Sequence, residues 1–221
     1  IMAISKFNYN SFNVTPVAGT ALAFDADADG FSTATSTAIT LIKTLTASSS
    51  ATLDFLNGSS DVVFDDTYPL YVFKFIDIHP ATNEAYFSFQ TDTGTNTSYN
   101  QTVTSTAFDA YHNEAGTTAD LLYRTGNDSN QASGFQRITS SGGSDNDQCF
   151  AGIIHLFNPS SSTFVKQFLC RSNTTSHDDS TANSHYAGYF NTTTALTRVR
   201  FKMSSGNIDA GTIKLYGIKD S

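Results

Sequence analysis

Charge is scarce in this sequence: 14% of the 221 residues are Asp, Glu, Lys or Arg, well under the usual quarter. Ser, Thr and Asn recur in every region, so the solvated faces must be built mainly from hydroxyl and amide groups. Basic residues are the scarcer kind, 12 against 20 acidic ones. The net charge of −8 repels phosphate backbones at long range and argues against a nucleic-acid partner. Long apolar runs are missing too. None approaches the ~18–20 residues of a membrane-spanning helix. Residues 1–10 contain no basic segment followed by an apolar stretch, so the expectation is a soluble chain without a secretion signal or membrane insertion. Cysteine stops at Cys149 and Cys170, which is no disulfide framework of the small secreted kind. Glutamate stops at Glu84 and Glu114, both in polar, turn-like surroundings that read as surface and not as a pair of glycosidase acids.

Aromatic side chains are plentiful by contrast, 18 Phe and 10 Tyr, each contributing on the order of 150–250 Å² when buried. A compact chain of this length hides roughly 70–75% of its unfolded surface, so one core suffices without metal or disulfide. Thr, Phe and Tyr favour pleated strands, whereas Ser and Asn favour turns. Strand signals recur at 5–14, 38–45, 52–56, 70–78, 85–90, 102–111, 121–125, 135–139, 150–157, 163–170, 185–190, 197–203 and 212–218, with no amphipathic helix longer than two turns. Neither an internal repeat nor an interdomain linker is visible. The fold expected is all-β, an antiparallel two-sheet β-sandwich of jelly-roll-like form, occupying residues 1–221 as a single domain.

Residues 70–78 are apolar at nearly every position and read as a central strand covered on both faces. His79-Pro80-Ala81-Thr82-Asn83 reads as a hairpin turn, because Pro80 lacks the ladder donor and should end the strand. Val199, Phe201 and Met203 alternate with Arg198, Arg200 and Lys202, which makes the cations the outward face of a strand. That strand and 212–218 read as a closing antiparallel hairpin. A register symmetric about Asn158-Pro159-Ser160-Ser161 would set Cys149 opposite Cys170, able to cross-link but expected as two thiols in a reducing cytoplasm. Long polar loops are expected at 44–52, 91–100, 126–133, 140–148 and 173–184, where a binding surface most naturally sits.

Few constellations carry chemistry. Asp25-Ala26-Asp27-Ala28-Asp29-Gly30 gathers the carboxylates Asp25, Asp27 and Asp29 at alternate positions before a glycine, the pattern of oxygen ligands around calcium. The twelfth loop position holds Ser36 where a helical calcium loop needs Glu, leaving a looser calcium loop or a solvated acidic turn. His79, His112, His155, His177 and His185 lack metal-ligand spacing. The nearest cluster is His177-Asp178-Asp179 with His185, and His155 reads as a core or interface residue. No nucleophile elbow or phosphate-cradling loop occurs, so no catalytic residue is assigned and the chain reads as a part that builds or binds. The loop tyrosines Tyr99, Tyr111, Tyr123 and Tyr186 are candidates to stack on sugar rings.

Several segments carry a resemblance. They are Phe73-Lys74-Phe75-Ile76-Asp77-Ile78-His79-Pro80, Thr104-Ser105-Thr106-Ala107-Phe108, Leu156-Phe157-Asn158-Pro159-Ser160-Ser161, Ala187-Gly188-Tyr189-Phe190-Asn191-Thr192-Thr193 and the ending Ile213-Lys214-Leu215-Tyr216-Gly217-Ile218. Together they resemble a family of virion-associated structural proteins from tailed phages of marine bacteria, with a likeness that spans nearly the whole chain. The resemblance implies location in the virion, as head decoration or as a tail or fibre component, and gives no catalytic residues to carry over. Cys149 and Cys170 depart from the family pattern. The partners it implies are further copies of the chain, most naturally a homotrimer, and other virion proteins. The alternative function is a module that binds host-surface carbohydrate.

Overall fold

The computed structural model describes residues 21–24, 31–34 and 38–219. Two compact units make up the chain, Ile1–Ala38 and Ile39–Ser221. In the first, β1 (Ala21–Phe24) pairs antiparallel with β2 (Phe31–Ala34). The expected strand at 5–14 and the carboxylates Asp25, Asp27 and Asp29 lie outside the described residues.

The second unit contains β3 (Ile39–Thr46), β4 (Leu53–Leu56), β5 (Leu70–Pro80), β6 (Phe87–Thr93), β7 (Val103–Asn113), β8 (Ala119–Tyr123), β9 (Asn130–Ala132), β10 (Gln136–Arg137), β11 (Phe150–Phe157), β12 (Lys166–Thr175), β13 (Ser180–Phe190), β14 (Leu196–Met203) and β15 (Ile208–Ile218). They form two antiparallel sheets of unequal size. The larger has the order β3-β15-β5-β11-β12-β13-β7-β8, with β9 beside β7, and the smaller has the order β10-β6-β14-β4. The all-β two-sheet sandwich expected from composition is the observed fold, and no described residue is helical.

Aromatic rings fill the gap between the sheets. Phe201 of β14 lies 5.3 Å from Phe73 of β5 across the gap and packs on Phe55, Phe87 and Phe89 of its own sheet at 6.1, 5.5 and 6.0 Å. Phe89 meets Phe168 and Phe190 edge-on at 5.1 and 5.5 Å, the geometry that places a positive ring edge on a negative face. Period-two alternation delivers these rings: Leu53 and Phe55, Phe87 and Phe89, Val199, Phe201 and Met203, and Ile213 and Leu215 all point inward and are buried.

Both expected hairpins are corrected. β5 and β6 lie in different sheets, as do β14 and β15, so the turns at 81–86 and 204–207 carry the chain across the sandwich. The physical reason is that inward aromatics on both sides of each turn must face one another across the gap and not lie side by side. Pro80 does not stop its strand early, because β5 runs through it and Pro80 pairs with Ile208 at a bulged margin. β5 is central, between β15 and β11, but its outer face is only partly covered: Val72 is buried there while Lys74 and Ile76 are exposed. The cysteines are not opposite each other. Cys170 pairs with Ile154, and Cys149 accepts the Thr175 amide, because residues 158–165 all belong to the connecting loop and β12 begins only at Lys166. Both thiols are free. Nor is 173–184 a long loop, since β12 and β13 run through it to a tight turn with Asp179 at φ 54°.

Candidate interaction face

The two outer faces of the sandwich differ. The smaller sheet is covered by its own loops: Gln90, fully buried, donates to the carbonyls of Gln101 and Gly134 at 3.0 and 2.7 Å. Arg200 lies 4.0 Å over the Tyr99 ring while pairing with both oxygens of Asp54, and Lys202 lies over Phe135 at 4.7 Å. The cations expected to be outward on β14 are therefore outward, but spent on local partners.

Among the described residues the larger sheet has no such cover over its middle strands. Strand pairing aligns its outward side chains in transverse rows. One row reads Tyr123, Phe108, His185, Arg171, Ile153, Lys74 and Lys214 across β8, β7, β13, β12, β11, β5 and β15. The next reads Thr106, Ala187, Leu169, His155, Val72 and Tyr216. Leu169 is 51% and Phe108 44% exposed, large apolar groups left in water. The rings of Phe108 and His185 stack in parallel with centroids 4.9 Å apart, and Lys74 lies 5.2 Å over the Tyr216 ring. Between the rows is a depression of about 380 Å³, walled by Phe108, Ile153, His155, Leu169 and His185 and floored by Ala187. Partial burial holds the His155 imidazole below its ordinary pKa, because desolvation penalises the charged form. Outward positions from β7 to β15 in this region carry Arg171, Lys74 and Lys214 and no carboxylate. In a chain of net charge −8, that is a locally cationic face.

The sugar-stacking candidates are scattered. Tyr99 and Tyr186 are buried, 5% and 3% exposed, and act as packing residues. Tyr186 donates to the Thr139 carbonyl at 3.0 Å, and burial pushes its phenol up to about 12. Burial also raises the Tyr99 phenol. Tyr111 is half-buried beneath the Arg124 guanidinium, whose Nε donates to the buried Asp109 at 2.5 Å. Only Tyr123 offers an exposed ring, 53% exposed, with its hydroxyl donating to Asp128 at 2.7 Å.

The histidines are also apart: His185 is on the sheet face, while His177 is 3.6 Å from Glu84. A hollow of about 440 Å³ at the margin of the large sheet is bordered by Asp77, His79, Asp147, Cys149 and Asp209, where His79 Nε2 meets the Asp145 carbonyl at 3.1 Å. Among the described residues no group of three or more His, Cys, Asp or Glu side chains is placed to hold a metal ion.

Sequence reasoning missed most of the exposed face. On β7 Asp109 points inward and is buried, while Phe108 points outward. His155, read as a core or interface residue from its place in an apolar strand, lies in the second row, and the sugar-stacking candidate Tyr123 stands at the end of the first. No family model, curated protein or solved structure matches the chain.

Proposed function

We propose that this chain is a non-enzymatic structural component of a tailed-phage virion, a head-decoration or tail or fibre sandwich, which works by self-association and by contact with other virion proteins. The observation that carries the self-association is the uncovered face of the large sheet. Six adjacent strands about 4.8 Å apart, taken over about seven residues of about 3.3 Å, offer on the order of 700 Å², close to the ~800 Å² per partner of a standard interface. Within it Phe108, Ile153 and Leu169 form an apolar centre rimmed by Arg171, Lys74 and Lys214, the kind of patch that marks an interaction site. The virion address rests on the resemblance of the segments named above. A closed symmetric oligomer, a homotrimer, is the assembly this reading expects. It assigns no catalytic residue, no cofactor, no nucleic-acid partner and no membrane insertion.

Sedimentation velocity over a wide concentration range tests the association. Trimers are expected, and a monomer at every concentration overturns it. Electron microscopy of the particle tests the address, with a copy number in the hundreds for head decoration and of a few to a few tens for the tail.

One observation favours a second reading, host-surface carbohydrate binding. Tyr123 presents an exposed ring next to Phe108 with Asp128 at its hydroxyl, an apolar face beside a hydrogen-bonding carboxylate. Glycan-array binding that is lost in Tyr123→Ala and in Phe108→Ala would support it, and an array without signal would remove it.

A further inference from the structure

Apart from the open face, the most exposed large apolar side chain among the described residues is Phe164, 70% exposed, in the loop between β11 and β12. Its loop is held firmly. The Thr163 and Phe164 amides donate to the Ser161 hydroxyl at 3.1 and 3.0 Å. Beneath them Lys166, fully buried, donates its ammonium to the carbonyls of Ser161 and Phe164 at 2.7 Å each and of Thr192 at 3.3 Å. A buried ammonium facing only carbonyls is costly, and what it secures here is a tip whose phenylalanine points into water. Fixing a side chain before it binds removes much of the entropy cost of association.

We infer that Phe164 of one copy inserts into the depression walled by Phe108, Ile153, Leu169 and the two histidines on the next copy. This rests on the self-association proposed above and names its contact. Phe164 is five residues before Leu169, about 16 Å along an extended chain, so a copy does not fill its own depression. The depression is apolar and, at about 380 Å³, at the scale of sites that take a ring-sized group. Charge fits as well. The chain as a whole is acidic, with a net charge of −8. The receiving face offers Arg171 and Lys74 without a carboxylate. A contact between different patches on the two partners is heterologous, and repeated through a rotation that closes it yields a ring.

The experiment uses two variants of the whole chain, Phe164→Ala without the knob and Leu169→Arg with a blocked socket. Ile153→Arg blocks the socket independently from the neighbouring strand. Each variant alone should weaken assembly at least about thirtyfold, as for a central anchor residue, with an unchanged melting temperature at a concentration where all the chains are monomeric. Mixed in equal amounts, Phe164→Ala and Leu169→Arg should form heterodimers and nothing larger, because one supplies the knob and the other the socket. A mixture that stays monomeric, or a Phe164→Ala chain that assembles like the wild type, overturns the inference and leaves self-association standing. A monomeric wild type overturns both.

Discussion

The carboxylate of Asp92 accepts the backbone N–H of Tyr99 at 2.7 Å, with both residues on the covered side of the smaller sheet. Its other oxygen accepts from the Thr93 amide and from the side chains of Asn96 and Gln101 at 2.8–2.9 Å. Asp92 thus organises the loop that roofs β6. Asp92→Ala leaves several of these donors unpaired, and roughly 3 kcal/mol of stability should be lost, measured by urea unfolding. A loss under about 0.5 kcal/mol would mean that the loop has other support.

Phe201 touches four other phenylalanines from both layers. Phe201→Ala should cost about 3–5 kcal/mol, while Phe164→Ala, exposed in the monomer, should cost under about 0.5 kcal/mol. Thermal melts of the two variants at a concentration where the chain is monomeric check the contrast.

How much of this was legible beforehand depends on which physical signal each element used. β11 was readable to the residue because its apolar run ends at Asn158 and Pro159. The core phenylalanines of β6 and β14 were readable because alternation marks the buried face. Sheet membership was not, since a turn sequence does not say whether the next strand lies beside the last one or across from it. The outward row on β7 was hidden because Asp109 is buried on a partner, Arg124, that lies fifteen residues further along the chain. The facing ends of β12 and β13, within residues 173–184, looked like loop because small polar side chains such as Thr174 and Ser184 fill the buried positions there; beside them Ser172 donates to the Ile138 carbonyl at 2.7 Å. Tyr186 looked like a loop tyrosine for the same reason.

Alkaline pH should unfold the chain in a defined window. Burial raises the phenols of Tyr71, Tyr99 and Tyr186 in the folded state above their ordinary value of 10.0. Their contribution is therefore fully present below pH 10 and lost as pH rises toward and through the folded values. Melting temperature should fall above pH 10, and Tyr186→Phe should lessen the fall. A melting temperature that is flat to pH 12 would contradict the burial of these groups.

Acid should act at the open face. His155 has a folded pKa below its ordinary 6.5, so its contribution is present above pH 6.5 and lost as pH falls through the folded value. Assembly and stability should weaken together below about pH 6, and His155→Gln should flatten both profiles. Sedimentation and melting curves between pH 4 and 8 test this.

The free thiols differ in access. Cys149 is half-buried, with burial and then Asp77 raising its pKa, whereas Cys170 is buried and pushed far up. Alkylation at neutral pH should modify Cys149 slowly and spare Cys170 until unfolding. Mass spectrometry of the native chain should show two thiols, and a cross-link between them would contradict the register of β11 and β12.

The neighbours of β5 have a bearing on synthesis. On one side it pairs with β11, and on the other with β15, whose last residue is Ile218. Until β15 has been synthesised, Phe73 and Phe75 have no strand to close against on that second side. The core must wait until β15 has been made, and a nascent chain stalled before residue 208 should remain open to protease and to chaperones.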